Sequence, residues 1–177
     1  MPIVIHEDTD LFQFARSNCS LAHGVNCVGA MGKGIAVAFK EYWPKMYEEY
    51  KTRCSEGRML PGTCWPWKYE GKWSESTINP ASGVNFQMNF FVRMLYVYNV
   101  TVKAHWKLPS TETMVDGGLK SLFYEMQQNR DTEVAMPMIG CGLGGLDWNT
   151  CVFPILKKYS DENPDITVHV CIPKSAP

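Results

Sequence analysis

Apolar positions follow two rhythms along this chain, and their alternation predicts its architecture. Short β-prone runs recur at residues 3–5, 20–26, 62–68, 94–101, 133–137 and 166–172. Helical spacing lies between them. Ile35, Ala38, Phe39 and Tyr42 share one helical face, and Pro44 opens a second helix that runs to about Ser55, with Gly57 as its stop. Val115, Leu119, Leu122 and Met126 line another helix, for which Ser110 is the predicted cap and Glu112 the first-turn acid. Val152, Ile155, Leu156 and Tyr159 line the last, capped by Asp147 and kinked or delayed by Pro154. Pro66 marks the run at 62–68 as an edge strand or a bulge. Gly117-Gly118 inside a helix costs roughly 1 kcal/mol per glycine, which implies a close neighbour there. Strands alternating with helices predict an α/β chain: a three-layer α/β/α sandwich with a mixed, largely parallel central sheet. Residues 74–91 fit neither rhythm and read as an inserted loop or hairpin.

Composition narrows the classes. With 177 residues, 45% of them hydrophobic, the chain is expected to fold as one domain over 1–177 with a sizeable core. A net charge of −1 excludes a globally basic nucleic-acid binder and leaves only local patches. The first residues carry neither a basic nor a long apolar leader, so a cytoplasmic protein is expected. No apolar run approaches the roughly 20 residues of a membrane helix. Seven cysteines, an odd number with no C-x-x-C pair, read as reduced thiols, and no metal-ligand spacing occurs. Asn99-Val100-Thr101 is a formal glycosylation sequon, expected to be unused.

The candidate chemistry lies in two glycine loops. The first reads CVGAMGKGIA, from Cys27 to Ala36, and the second reads GCGLGG, from Gly140 to Gly145. Each follows a strand and precedes a helix, the layout that points backbone N–H groups at an anion. Two such loops in one small domain suggest a ligand with two phosphates, gripped from both sides. A nucleotide-triphosphate loop is excluded, because Gly34 follows Gly32-Lys33 where a Mg²⁺-binding hydroxyl is needed. Gly140-x-Gly142-x-x-Gly145 formally matches a dinucleotide fingerprint, but only about 30 residues follow it, too few for a second nucleotide half.

The stretch from Ala22 to Ala36 (AHGVNCVGAMGKGIA), together with Pro137 to Trp148 (PMIGCGLGGLDW), resembles the macrodomain family. Within it, the likeness is to the branch holding the DarG-type antitoxin enzymes that remove ADP-ribose from thymidine in DNA, and the human terminal ADP-ribose glycohydrolase. It covers nearly the whole chain, apart from 74–91. The resemblance implies an ADP-ribose cleft at the C-terminal ends of the strands. By motif, Gly32, Lys33, Gly34 and Ile35 form one phosphate loop. Gly140, Cys141, Gly142, Leu143, Gly144 and Gly145 form the other. Asn26 matches an asparagine on the distal ribose, and Asp10-Leu11 matches the adenine-side acidic segment, with Asp8 as a rival. Lys33 reads equally as a phosphate contact and as a solvated loop lysine.

The segment Thr101-Val102-Lys103-Ala104-His105-Trp106-Lys107 resembles the T-K-R-H-W-R stretch of the DNA-directed enzymes. Aligned on His105-Trp106, Lys103 takes the catalytic position, as a nucleophile or as a charge that stabilises the departing thymine. The family has threonine directly before that lysine, whereas Val102 stands here. The human enzyme has a catalytic aspartate where this chain has Gly144, so protein deconjugation by a lysine–aspartate pair is disfavoured. Asp147 reads as a helix cap rather than a replacement acid. His105 and Trp106 are substrate-side candidates, for stacking on a base, and Lys107 suits a backbone phosphate. Trp65, Trp67 and Trp73 read as strand packing. The expectation is an enzyme that binds ADP-ribose and hydrolyses it from ADP-ribosylated thymidine in DNA. The alternatives are an ADP-ribose-1''-phosphate phosphatase and a non-catalytic ADP-ribose reader. The expected partners are ADP-ribose or an ADP-ribosylated substrate, with single-stranded DNA as a candidate. No cofactor, metal or membrane is expected, and the chain is expected to be a monomer.

Overall fold

The computed structural model describes residues 2–70 and 94–173. Along the chain run β1 (Ile3–Glu7), α1 (Phe12–Arg16), β2 (Ser20–Asn26), α2 (Ile35–Tyr42), α3 (Pro44–Ser55), β3 (Cys64–Glu70) and β4 (Met94–Lys103). Then come α4 (Glu112–Gln128), β5 (Glu133–Met136), a 3-10 turn (Gly142–Gly144), a π-helical turn (Trp148–Val152), α5 (Phe153–Glu162) and β6 (Thr167–Ile172). The strands form one sheet in the order β1-β6-β5-β2-β4-β3. All neighbours pair in parallel except β3, which runs antiparallel to β4 at the edge. This is the predicted mixed, largely parallel sheet.

Helices cover both faces, so the central strands are buried on both sides. One core packs Ala22, Tyr98, Val100 and Val102 against Leu119 and Leu122 of α4 and Leu156 of α5. The other packs Leu21, Val25 and Val97 against Phe12, Phe39, Met46 and Tyr50, from α1, α2 and α3. Neighbouring positions such as Leu21 and Ala22 serve opposite cores, as the period of two requires.

The helix α4 lies close to the sheet because of its two glycines. A Cβ on Gly118 would stand 2.6 Å from Val100 Cγ1, and one on Gly117 would stand 2.9 Å from Gly62 O. Its cap differs from the expectation. Thr111, not Ser110, is extended and accepts from the Met114 N–H. Ser110 is instead buried beneath the second glycine loop. Pro154 delays the last helix: the chain makes a π-helical turn capped by Asp147 before α5 begins. Strand β4 runs two residues past its predicted end, so Lys103 stands at the end of a strand. Trp65 and Trp67 pack against the second core. Residues 74–91, with Trp73, lie outside the described residues. Among the described residues, no helix is long and apolar enough to cross a membrane.

Candidate functional site

The five mutually parallel strands all end on one rim, where ligands of α/β sheets bind. Asp10-Leu11 follows β1, Asn26 ends β2, Lys103 ends β4, and Gly140 to Gly145 follow β5. Asn26 and Lys103 are register partners, just past a bulge in the β2–β4 ladder.

Asn26 organises the first loop. Its Oδ1 accepts from the N–H groups of Val28 at 3.0 Å and Ala30 at 3.3 Å, and its Nδ2 donates to Ala30 O at 2.8 Å. The buried Tyr50 hydroxyl of α3 lies 2.7 Å from Asn26 O and 2.9 Å from Asn26 Oδ1. Among the described residues, these bonds occupy the amide oxygen and one of the two amide protons. Met31 is buried and pins the middle of the loop. Gly34, with φ 64°, caps α2, so the amides of Ile35 and Ala36 open a helix whose first turn lacks internal acceptors. Lys33 is exposed beside it.

The second loop turns through three glycines with positive φ: Gly140 at 78°, Gly142 at 50° and Gly145 at 78°. Leu146 N–H closes it onto Gly140 O at 3.0 Å. Cys141 stands just before the 3-10 turn, and Gly144 N–H bonds back to Cys141 O at 2.8 Å. Gly144 has no room for a side chain, because a Cβ there would stand 2.6 Å from Ser110 Oγ. Ser110 N–H also donates to Gly144 O at 2.9 Å, so the lead into α4 props the loop from below.

The two loops meet. A Cβ on Gly34 would lie 3.4 Å from the Leu143 side chain, and Leu143 O accepts from Lys103 Nζ at 2.8 Å. Lys103, Asn26, Gly34 and Leu143 thus come together from four separate parts of the sequence. Tyr50 and Ser110 were not legible as site residues, because only their long-range contacts give them that role.

Beyond β4 the chain makes a tight turn. Lys107 N–H donates to His105 Nδ1 at 3.1 Å, and Leu108 N–H to His105 O at 3.0 Å. The His105 and Trp106 rings stack at 5.5 Å. At the other end of the rim, Asp10 Oδ1 accepts from Phe12 N–H at 3.0 Å and Oδ2 pairs with Arg16 at 3.1 Å. Leu11 is buried in the second core, and Asp8 takes a positive φ of 49° in the turn before it. Asp147 Oδ1 accepts from the Thr150 N–H at 2.7 Å and the Thr150 hydroxyl at 2.8 Å, and these bonds hold its carboxyl below the usual range. That is the cap read from the sequence. The thiols beside the loops, Cys27, Cys54 and Cys141, are pushed up chiefly by burial. They are therefore poor nucleophiles at neutral pH.

A parallel-centred α/β/α sheet with glycine loops closing over its strand ends has the layout of a nucleotide-binding domain. No family model matches the chain. It is 30% identical over 144 residues to a DNA ADP-ribosyl glycohydrolase of Thermus aquaticus, covering 78% of this chain and 35% of that protein. It is 33% identical over 129 residues to one of Mycobacterium tuberculosis, covering 73% and 31%. The chain therefore spans about a third of the length of these curated relatives. A match to an ADP-ribose 1''-phosphate phosphatase of Ajellomyces capsulatus, 38% identical, covers 36% of this chain and 24% of that one. Among solved structures, the macrodomain of Mycobacterium tuberculosis DarG superposes with a TM-score of 0.73 at 29% identity, covering 97% of this chain and 99% of that one. Thermosipho africanus DarTG in complex with ADP-ribose gives 0.70 at 26%, covering 98% and 43%. The chain belongs to the macrodomain family, and within it to the DarG type.

Proposed function

We propose that this chain binds ADP-ribose across its two glycine loops and hydrolyses ADP-ribose from DNA, with ADP-ribosylated thymidine as substrate. The observation that carries this reading is Lys103 Nζ, held 2.8 Å from Leu143 O where the loops meet. Similarity to proteins named DNA ADP-ribosyl glycohydrolase supports the same chemistry. In this reading residues 1–177 act as one monomeric domain.

The amides that open α2 and the 3-10 turn face the diphosphate, which suits their unpaired N–H groups. The second Asn26 amide proton serves the distal ribose, and the Asp10 carboxylate, with acceptor capacity to spare, serves the adenine amino group. Hydrolysis breaks the bond between the anomeric carbon and the base nitrogen. The hydroxyl of water ends on that carbon and its proton on the base. An ammonium at Lys103 spends one N–H on Leu143 O and keeps two donors for the charge that gathers on the departing thymine.

The test is a single-stranded oligonucleotide carrying ADP-ribose on thymidine, incubated with the wild type and with Lys103→Ala. The wild type releases free ADP-ribose and intact oligonucleotide. The variant is slower by roughly 100- to 1,000-fold, the scale of losing one transition-state donor. Absence of release by wild-type protein that binds ADP-ribose in calorimetry overturns the hydrolase reading.

A further inference from the structure

We infer that the turn after β4 is a nucleobase platform: Trp106 stacks on an unpaired base next to the one that carries ADP-ribose, and Lys107 meets the adjoining phosphate. The inference takes its substrate class from the DNA reading above and rests on separate observations. Trp106 is 51% exposed, and Leu108 at 52% and Leu143 at 65% are exposed on the same rim. Isolated apolar residues in water are ordinary, but three large ones on segments that leave one rim of the sheet are what a contact surface requires. Trp106 lies three residues beyond Lys103, which ends β4 and whose Nζ holds Leu143 O, so the turn that carries the ring leaves the sheet from the same rim as the two glycine loops.

The indole is also braced. His105 stacks against it with an interplanar angle of 29°, and two hydrogen bonds within the turn fix His105. A ring fixed in advance loses little entropy when a base arrives. Lys107 Nζ sits 5.1 Å from the indole centroid. Its flexible stem lets the ammonium swing from the ring to a phosphate as a base takes the ring face.

Charge selects the occupant. Lys33, Lys103 and Lys107 lie along this rim, in a chain whose net charge is −1. Of the acidic groups on the rim, Asp10 is paired with Arg16, Asp147 is turned to its own helix as a cap, and Glu7 and Asp8 lie at the end of β1, across the sheet from the turn after β4. An aromatic ring flanked by lysines suits a phosphodiester strand with unstacked bases, which means single-stranded DNA and not a duplex.

Labelled, unmodified thymidine-containing single strands are titrated into wild type, Trp106→Ala and Trp106→Phe and followed by fluorescence anisotropy, with calorimetry of ADP-ribose on each. Trp106→Ala is expected to weaken the single strand about tenfold, the scale of one stacked base. Trp106→Phe restores most of the affinity, ADP-ribose affinity is the same in all three, and added salt weakens the DNA complex. Equal DNA affinity in wild type and Trp106→Ala overturns the platform, as does an equal loss of ADP-ribose and DNA. Tighter binding of a duplex, or of RNA of the same sequence, overturns the assignment to single-stranded DNA. No turnover is needed in this experiment, so a failed hydrolase reading leaves its outcome readable.

Discussion

His23 lies wholly inside the protein, its ring 3.7 Å from that of Phe39 and its Nε2 2.7 Å from Asn99 Oδ1. Asn99 directs its amide protons at Trp65 O and Val97 O, so its oxygen accepts and His23 Nε2 donates. Burial lowers the His23 pKa from 6.5 to about 4. The folded state therefore excludes a proton that the unfolded chain takes up below 6.5. The stabilisation from the neutral ring is complete above 6.5 and is lost as pH falls towards 4, by roughly 3 kcal/mol over the window. His6, lowered by burial and by His169, acts in the same direction. Urea unfolding at pH 7 and pH 4.5 should show this loss in the wild type. In His23→Gln, whose amide can still donate to Asn99, the drop between the two pH values should be smaller.

At the scale of elements, α4 offers the sharpest test. Alanine normally improves a helix by roughly 1 kcal/mol over glycine. In Gly118→Ala, however, the new methyl would stand 2.6 Å from Val100 Cγ1, in the middle of a packed core. The expected result is net destabilisation by about 1–3 kcal/mol, the usual cost of overpacking, read as a lower urea midpoint with an unchanged slope. Elements are also where the sequence was most legible. Leu119, Leu122 and Met126 were all placed by period alone, because a helix that buries one face must repeat its apolar residues. What escaped the pattern was local hydrogen bonding. Ser110 and Thr111 are both good caps by type, and the choice fell to Thr111 because Gly144 needed the neighbouring position for its prop. The short helix α1 has one buried residue, Phe12, and so too little periodicity to be seen. Tyr42, expected on the buried face of α2, is 51% exposed and stacks on Phe12 at 4.5 Å.

For the whole molecule, the glycine loops and the strand alternation were readable because each is encoded over a few adjacent residues. The bond from Lys103 to Leu143, and the clasp of Tyr50 on Asn26, join residues 40 and 24 positions apart, and only the folded sheet brings them together. A ligand that bridges such loops binds the folded chain alone. ADP-ribose at a hundred times its Kd should therefore add about 2.7 kcal/mol of stability and raise Tm by roughly 5–10 °C in a thermal melt. An unchanged Tm at that concentration would contradict binding to the folded state. The Lys103 side chain is tethered before any ligand arrives. A free lysine carries about 2 kcal/mol of rotamer entropy, and the Leu143 carbonyl absorbs part of that loss during folding. The part of that loss already met in folding need not be met again each time a substrate arrives.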